Sequence, residues 1–317
     1  MGAWPTAKSG PGLMQPLTGI ALKVTSLTLF IAMASLIKAA SAEVPPGQAV
    51  FFRSLFAVPV ILVVLGLQGN LAAGIRTRRP WAHLLRGVMG TTTMALGFAG
   101  LARLPLPEVT AIGYLAPVLM VVFAAIFLRE TVRLFRWSAV ALGLIGVLVV
   151  IWPRLSVLQD DMTSAAGIGA ILVVISACTA ALTQVYVRTL VKVENAPTIV
   201  LYFSLTATGL SALTAPYGWV VPSPSVTVML IIAGLLGGLG QICLTMAYKF
   251  ADVSVVAPFE YASILLAIAS GYIFFAEVPT VQTLAGVALV IVAGVMIVWR
   301  ERQLGLERGR ARMHVPR

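Results

Sequence analysis

Residues 104–130 read LPLPEVTAIGYLAPVLMVVFAAIFLRE, and residues 251–277 read ADVSVVAPFEYASILLAIASGYIFFAE. Each is a largely apolar run that ends in a glutamate. A helix needs about 20 apolar residues to cross the hydrocarbon of a bilayer, and both runs are long enough. Tyr114 and Tyr261 stand 147 residues apart, as do Glu130 and Glu277. The helices that follow end alike, in Gly146-Val147-Leu148 and Gly294-Val295-Met296, at an offset of 148. Working outward from these stretches, the chain reads as five helices twice. Five is odd, so the second copy enters the membrane from the opposite face. Such an inverted repeat is a mark of secondary transporters, in which the halves exchange conformations to give alternating access.

The composition agrees with a membrane protein. Of 317 residues, 59% are hydrophobic and 10% charged, against roughly 25% charged in a soluble chain. Ten spans are expected, at about 19–40, 47–67, 82–102, 107–128, 134–152, 165–187, 197–216, 225–247, 253–275 and 281–299. Pro and Gly mark the joints, as at Pro45-Pro46-Gly47 and Pro222–Pro224. A β-barrel would show segments of about ten residues with alternating polarity, and none is present. The expected fold is therefore all-α and polytopic, with ten transmembrane helices arranged as two inverted five-helix repeats. An N-terminal segment (1–18), repeat one (19–152), repeat two (165–299) and a basic tail (300–317) divide the chain. Ala40-Ser41-Ala42 resembles a leader cleavage site, but the apolar run before it is too long for a leader and contains Lys23.

Basic residues give the expected orientation. With the N-terminus in the cytoplasm, 16 of the 22 Lys and Arg fall inside and three fall outside (Lys38, Arg103 and Arg154). Lys23, Arg53 and Arg86 fall within helices. This is the positive-inside pattern for two cytoplasmic termini. The tail Arg300–Arg317 is then expected to meet anionic lipid heads. It lacks the interleaved aromatic residues of a nucleic-acid binder, so no nucleic-acid partner is implied. Cys178 and Cys243 lie within helices and act as small hydrophobes.

Phe52-Arg53-Ser54-Leu55-Phe56, Leu85-Arg86-Gly87, Ala111–Pro117, Leu128-Arg129-Glu130 and Phe275-Ala276-Glu277 together resemble the drug/metabolite transporter superfamily, in its EamA-type ten-helix members. The likeness runs from about 19 to 302. It implies movement of a small organic metabolite without ATP, no cofactor, and a bacterial inner membrane, and it leaves room for a homodimer. Ser263 departs from the pattern, since it stands about where the second repeat often has a helix proline. Val256–Glu260 with Tyr261, and Trp299-Arg300-Glu301-Arg302, resemble members linked to riboflavin uptake.

An ionisable side chain within a membrane helix is costly and marks a candidate site. Lys23 and Arg86 lie near the cytoplasmic side and can snorkel, while Arg53, toward the outer side, is read as a structural pairing at a helix contact. Glu260 is deeper, with a short stem, and is a candidate substrate contact or proton carrier, or else an ion-pair partner of Lys23 or Arg86. Tyr114 and Tyr261 suit stacking on a planar solute. Pro117 and Pro258 free backbone carbonyls and are candidate hinges. Thr92 with Thr91 and Thr93, Thr179, Gln241 and Ser263 are candidate hydrogen-bonding groups. Many Ser and Thr residues in membrane helices instead bond their own backbone or a neighbouring helix. Gly234, Gly237 and Gly238 are read as a close helix contact.

Enzyme readings fail on composition. The two histidines, His83 and His314, sit at a helix edge and in the tail, which leaves no metal cluster and no buried triad. No Gly-Lys-Ser/Thr phosphate loop exists. A channel would call for rings of like residues from several subunits. With no basic cluster to meet a phosphate sugar, a mostly neutral, planar or amphipathic solute is expected. Riboflavin uptake is the first candidate, and export of amino acids or related metabolites and drugs is the rival.

Overall fold

The computed structural model describes residues 16–67, 76–77, 79–127, 134–160, 164–190, 193–194, 196–250, 259 and 262–313. Among them lie twelve helical segments forming ten spans: α1 (Pro16–Ala40), α2 (Pro46–Leu55) with α3 (Ala57–Leu67), α4 (Pro80–Leu101), α5 (Leu106–Gly113) with α6 (Leu115–Phe127), α7 (Leu134–Asp160), α8 (Ala165–Leu190), α9 (Ala196–Ala212), α10 (Pro224–Phe250), α11 (Ala262–Phe275) and α12 (Val281–Met313). Five of the spans are long and apolar enough to cross a membrane outright. Four more are shorter apolar helices. The remaining span, α4, carries His83, Arg86 and three threonines.

Two spans are broken by the same device. A proline removes the backbone donor that would bond the carbonyl four residues earlier and crowds that carbonyl. Pro117 does this to Gly113, and the chain turns at Tyr114 between α5 and α6. Pro59 does it to Leu55, and the chain turns at Phe56 between α2 and α3. The sequence reading named the first proline and passed over the second.

Packing follows the repeat. With the five spans of each half taken as counterparts, α1 packs on α10, and α8 packs on α4. The contact of α9 with α4 is mirrored by that of α2 and α3 with α10. The contact of α11 with α1 is mirrored by that of α5 and α6 with α8. The pairs α7 with α12, α2–α3 with α9, and α5 with α11 join a span to its own counterpart. These principal contacts are kept when the halves are exchanged, as related repeats of inverted topology would require, while smaller ones, such as α7 with α8, have no counterpart.

Lipid tails give helices no hydrophobic reason to associate, so small residues that allow close backbone approach do the work. A Cβ on Gly286 would lie 2.6 Å from the Gly146 carbonyl, and one on Gly146 would lie 2.8 Å from the Gly286 carbonyl. At α10, a Cβ on Gly234 would sit 3.0 Å from the Phe52 carbonyl, and one on Gly238 would sit 3.2 Å from the Ala57 Cα. The expected glycine contact is thus between α10 and the broken span α2–α3. Outward faces carry Leu84, Leu85, Val88, Ile145, Leu148, Leu265 and Ile273 exposed, as a lipid-facing surface requires.

The membrane has two faces here: the near face, where α1 begins, and the far face, where α1 ends. Matching ties close loops on both. On the far face the Glu43 carboxylate accepts from the Ser223 hydroxyl at 2.8 Å and from the Ser223 amide. On the near face the Thr77 hydroxyl donates to Glu194 at 3.0 Å. Each tie joins a loop of one repeat to a loop of the other. His83, read as a helix-edge residue, is buried. It stacks on Tyr202 with ring centroids 4.7 Å apart, and its Nε2 lies 3.6 Å from Glu194.

Candidate substrate site

The break between α5 and α6 places Tyr114 inside the molecule, at mid-span, facing the start of α11. Its hydroxyl lies 2.5 Å from the Ser263 hydroxyl, and both residues are buried. Two of the expected binding residues are thereby brought together across the repeats. Pro117, three residues on, is the cause of the turn that presents Tyr114. Nearby, Thr93 donates to Thr179 at 2.9 Å and Ser176 donates to the Thr93 carbonyl at 2.7 Å, pinning α4 to α8. Ser35 and Ser270 meet at 2.6 Å between α1 and α11. These hydroxyls join helices, as the more modest reading of them supposed. Thr91 bonds the Gly87 carbonyl in its own helix. Thr92 is exposed on the same stripe of α4 as Leu85 and Val88, away from the other candidates. Glu260, Tyr261 and Pro258 lie outside the described residues.

The cations are arranged differently from the sequence reading. Arg53 and Arg86 were assigned to opposite sides, with no basic cluster between them. In the structure both guanidiniums lie over one ring, that of Phe203 on α9, with Arg53 Cζ 5.8 Å and Arg86 Cζ 4.4 Å from its centroid. They approach the midplane from opposite faces on α2 and α4. Gln241, on α10, lines the same crevice as Arg53, Phe203 and Ser204. The candidate residues therefore fall into two groups, Tyr114 with Ser263 and Arg53 with Arg86 and Gln241. Lys23 is 1% exposed on α1, so the snorkelling expected of it does not occur.

Sequence reasoning also missed a cluster at the far face. Lys38, at the end of α1, pairs with Glu277 at 2.9 Å and donates to the Leu104 carbonyl at 2.5 Å. The other oxygen of Glu277 accepts from the Leu106 amide at 2.8 Å. The cation thus sits at the carboxyl end of α4 and the anion at the amino end of α5, where each helix dipole favours it. Glu277 reaches this position because α11 ends in a tight turn: the Glu277 amide bonds the Gly271 carbonyl at 2.9 Å, and Ala276 between them has φ of 53°. A Cβ on Gly271 would lie 3.1 Å from the Glu277 carboxylate, so glycine leaves it room. Left-handed backbone costs an L-residue about 1–2 kcal/mol. Ala276→Gly is therefore expected to raise the unfolding midpoint slightly, by under about 1 kcal/mol after the entropy cost of glycine, as read by thermal unfolding in detergent. Glu108, which nothing in the sequence singled out, is buried in the first turn of α5.

A ten-span bundle with two-fold packing, broken helices at mid-depth and polar groups gathered at the breaks is the architecture of a membrane carrier. The EamA-like transporter family model matches residues 17–152 and again residues 167–299. The chain belongs to this family, whose members are transporters and not enzymes. It is 30% identical to a riboflavin transporter of Rhizobium johnstonii, with 81% of this chain and 82% of that one covered. It is 31% identical to a pseudopaline exporter of Pseudomonas aeruginosa, with 87% and 94% covered. An S-adenosylmethionine uptake transporter of Rickettsia felis is 25% identical, with 90% and 94% covered. A crystal structure with 20% sequence identity superposes with a TM-score of 0.64 over 88% of this chain and 96% of that one, a likeness of fold.

Proposed function

We propose that the protein is a secondary transporter that moves a small organic metabolite across the bacterial inner membrane by alternating access, with both termini cytoplasmic. The observation that carries this is the meeting of Tyr114 and Ser263 at the break of α5–α6. There a span and its two-fold counterpart, α11, touch at mid-depth beside a proline hinge. Opening one face by swinging these spans apart closes the other when the counterpart motion occurs. The EamA match supports a carrier, and the basic loops support the orientation.

Two substrates have specific support. Riboflavin uptake is supported by relatives so named in Rhizobium johnstonii and Vibrio cholerae. Riboflavin also has a flat ring and a polyol arm, which suit stacking and hydroxyl contacts. Export of a carboxylate-bearing metabolite, such as an amino acid, is supported by the convergence of Arg53 and Arg86 on one ring. Uptake of labelled riboflavin in a riboflavin-auxotrophic host separates them. Rescue of growth at low riboflavin, with saturation and counterflow, is the outcome for the first. Failure of rescue, with saturable counterflow of an amino acid in vesicles, is the outcome for the second. In either case Tyr114→Phe is expected to weaken half-saturation about fivefold, the equivalent of one hydrogen bond of about 1 kcal/mol. Unchanged kinetics would remove Tyr114 from the site.

A further inference from the structure

We propose that Arg53 and Arg86 form an anion-binding subsite at mid-depth that receives the carboxylate of the transported solute. The inference rests on the carrier reading above and adds the chemical class of substrate.

Arg53 is 7% exposed, and its Nε finds no hydrogen-bond acceptor among the described residues. The same holds for Nε and one terminal nitrogen of Arg86. No described carboxylate pairs with either. Their shared neighbour is the face of Phe203, which attracts a cation but does not accept N–H bonds well enough to replace water. A buried ion with no carboxylate partner among the described residues bears a cost of several kcal/mol, and two like charges over one ring add repulsion to that cost. A purely structural arginine would be expected to end on a carboxylate or on carbonyl oxygens.

The backbone around them is cut back to seat the guanidiniums. A Cβ on Gly90 would collide with the Arg86 guanidinium and lie 2.7 Å from Phe203. A Cβ on Gly237 would lie 3.1 Å from Arg53 Nε. The Ser204 hydroxyl, in the same wall, likewise has no partner among the described residues. Gln241 also lines the crevice. The chemistry of this set suits a planar carboxylate: N–H donors from the Arg53 guanidinium that lines the crevice, a hydroxyl donor from Ser204 in the same wall, and a second positive charge from Arg86 at the same ring. In this conformation the crevice has no room for even a water molecule, against the roughly 300–1,000 Å³ of a ligand site. The subsite is thus closed in this conformation and opens as α9 and α10 move relative to α2.

The test uses the purified full-length protein in a neutral detergent with phosphatidylcholine as its only lipid, so that no anionic head group is present. Benzoate and its neutral amide, benzamide, are the probes, and the thermal unfolding midpoint is the readout. Benzoate should raise the midpoint saturably and benzamide should not. Arg53→Gln and Arg86→Gln should each weaken benzoate by about 10- to 100-fold, the loss of one charge-assisted contact. Their own ligand-free midpoints should hold or rise, because an unmatched charge has been removed. If the glutamine variants do not fold, Arg53→Lys and Arg86→Lys keep the charge, lose the two-pronged geometry, and should show the same weakening. The proposal is overturned if benzoate does no more than benzamide, or if the variants keep the full benzoate response. It is also overturned if added phosphatidylglycerol abolishes that response, which would make the occupant a lipid head group. No flux is measured, so these failures leave the carrier reading standing. Absence of counterflow in a protein that still binds benzoate would sink the carrier reading instead.

Discussion

Glu277→Gln is expected to destabilise the protein by about 2–4 kcal/mol and to open the far face to aqueous reagents. The carboxylate holds two unlike partners at once, the Lys38 ammonium at 2.9 Å and the Leu106 amide at 2.8 Å. Both side chains of the pair are largely buried, at 13% and 16% exposure. Removing one member of a buried pair leaves the other uncompensated, at a cost of about 3–5 kcal/mol. Residual contacts of Lys38 with the Leu101 and Leu104 carbonyls offset part of that. Since α1, α4, α5 and α11 all meet at this cluster, the loss should loosen their ends together. A cysteine at position 270 reports it directly, because Ser270 is buried below the cluster against Ser35. With Cys178 and Cys243 replaced by Ala, Ser270→Cys should react faster with a membrane-impermeant maleimide once Glu277→Gln is added. Equal labelling rates and an unchanged midpoint would show that the cluster neither stabilises nor closes the far face.

The second large effect concerns the α7–α12 contact. Gly286→Val should destabilise by about 3 kcal/mol, the upper end for overpacking, and Gly146→Val should do the same. The clash is with main chain: a Cβ at 286 meets the Gly146 carbonyl at 2.6 Å and the Val150 amide at 3.1 Å. A flexible side chain could swing away, but a helix backbone cannot. The sites touch, so the double variant should cost clearly less than the sum of the singles, since one separation of the helices relieves both clashes. Additive losses would mean that the helices tilt at the two glycines independently. Gly66, where a Cβ meets nothing within 4 Å, supplies the control, and Gly66→Ala should leave the midpoint within about 0.5 kcal/mol.

Much of this was legible from the chain. The ten spans appear where apolar length and proline joints put them, because in a bilayer the helix is nearly the only way to satisfy the backbone. The repeat was legible from the shared offset of Tyr114 with Tyr261 and Glu130 with Glu277. What was lost was mostly angular and lateral. Arg53 lies seven residues into α2 from the far face and Arg86 six residues into α4 from the near face, depths of about 10 and 9 Å. Side chains as long as arginine can meet from there across a core of about 30 Å. The sequence reading began the third span at 82 instead of 80, which put Arg86 closer to the surface. It also had no means of seeing that both residues turn toward Phe203. Pairings such as Tyr114 with Ser263, or Lys38 with Glu277, join residues far apart in sequence and depend on which helices are neighbours. The turn at Phe56 had a visible cause in Pro59, by the same rule that was applied to Pro117.

On the proposed carrier reading, the position of Ser263 bears on direction as well as on binding. At the repeat offset of 147, the positions related to Tyr114 and Ser263 are Tyr261 and Ala116. Alanine has no hydroxyl to offer the second tyrosine. A carrier whose halves were identical would hold its inward-open and outward-open forms at equal free energy. A Tyr114–Ser263 hydrogen bond of about 1 kcal/mol, with no sequence counterpart at Ala116, would shift such a balance to roughly five to one. Ser263→Ala would remove this contribution and shift the resting orientation of the empty carrier by about fivefold.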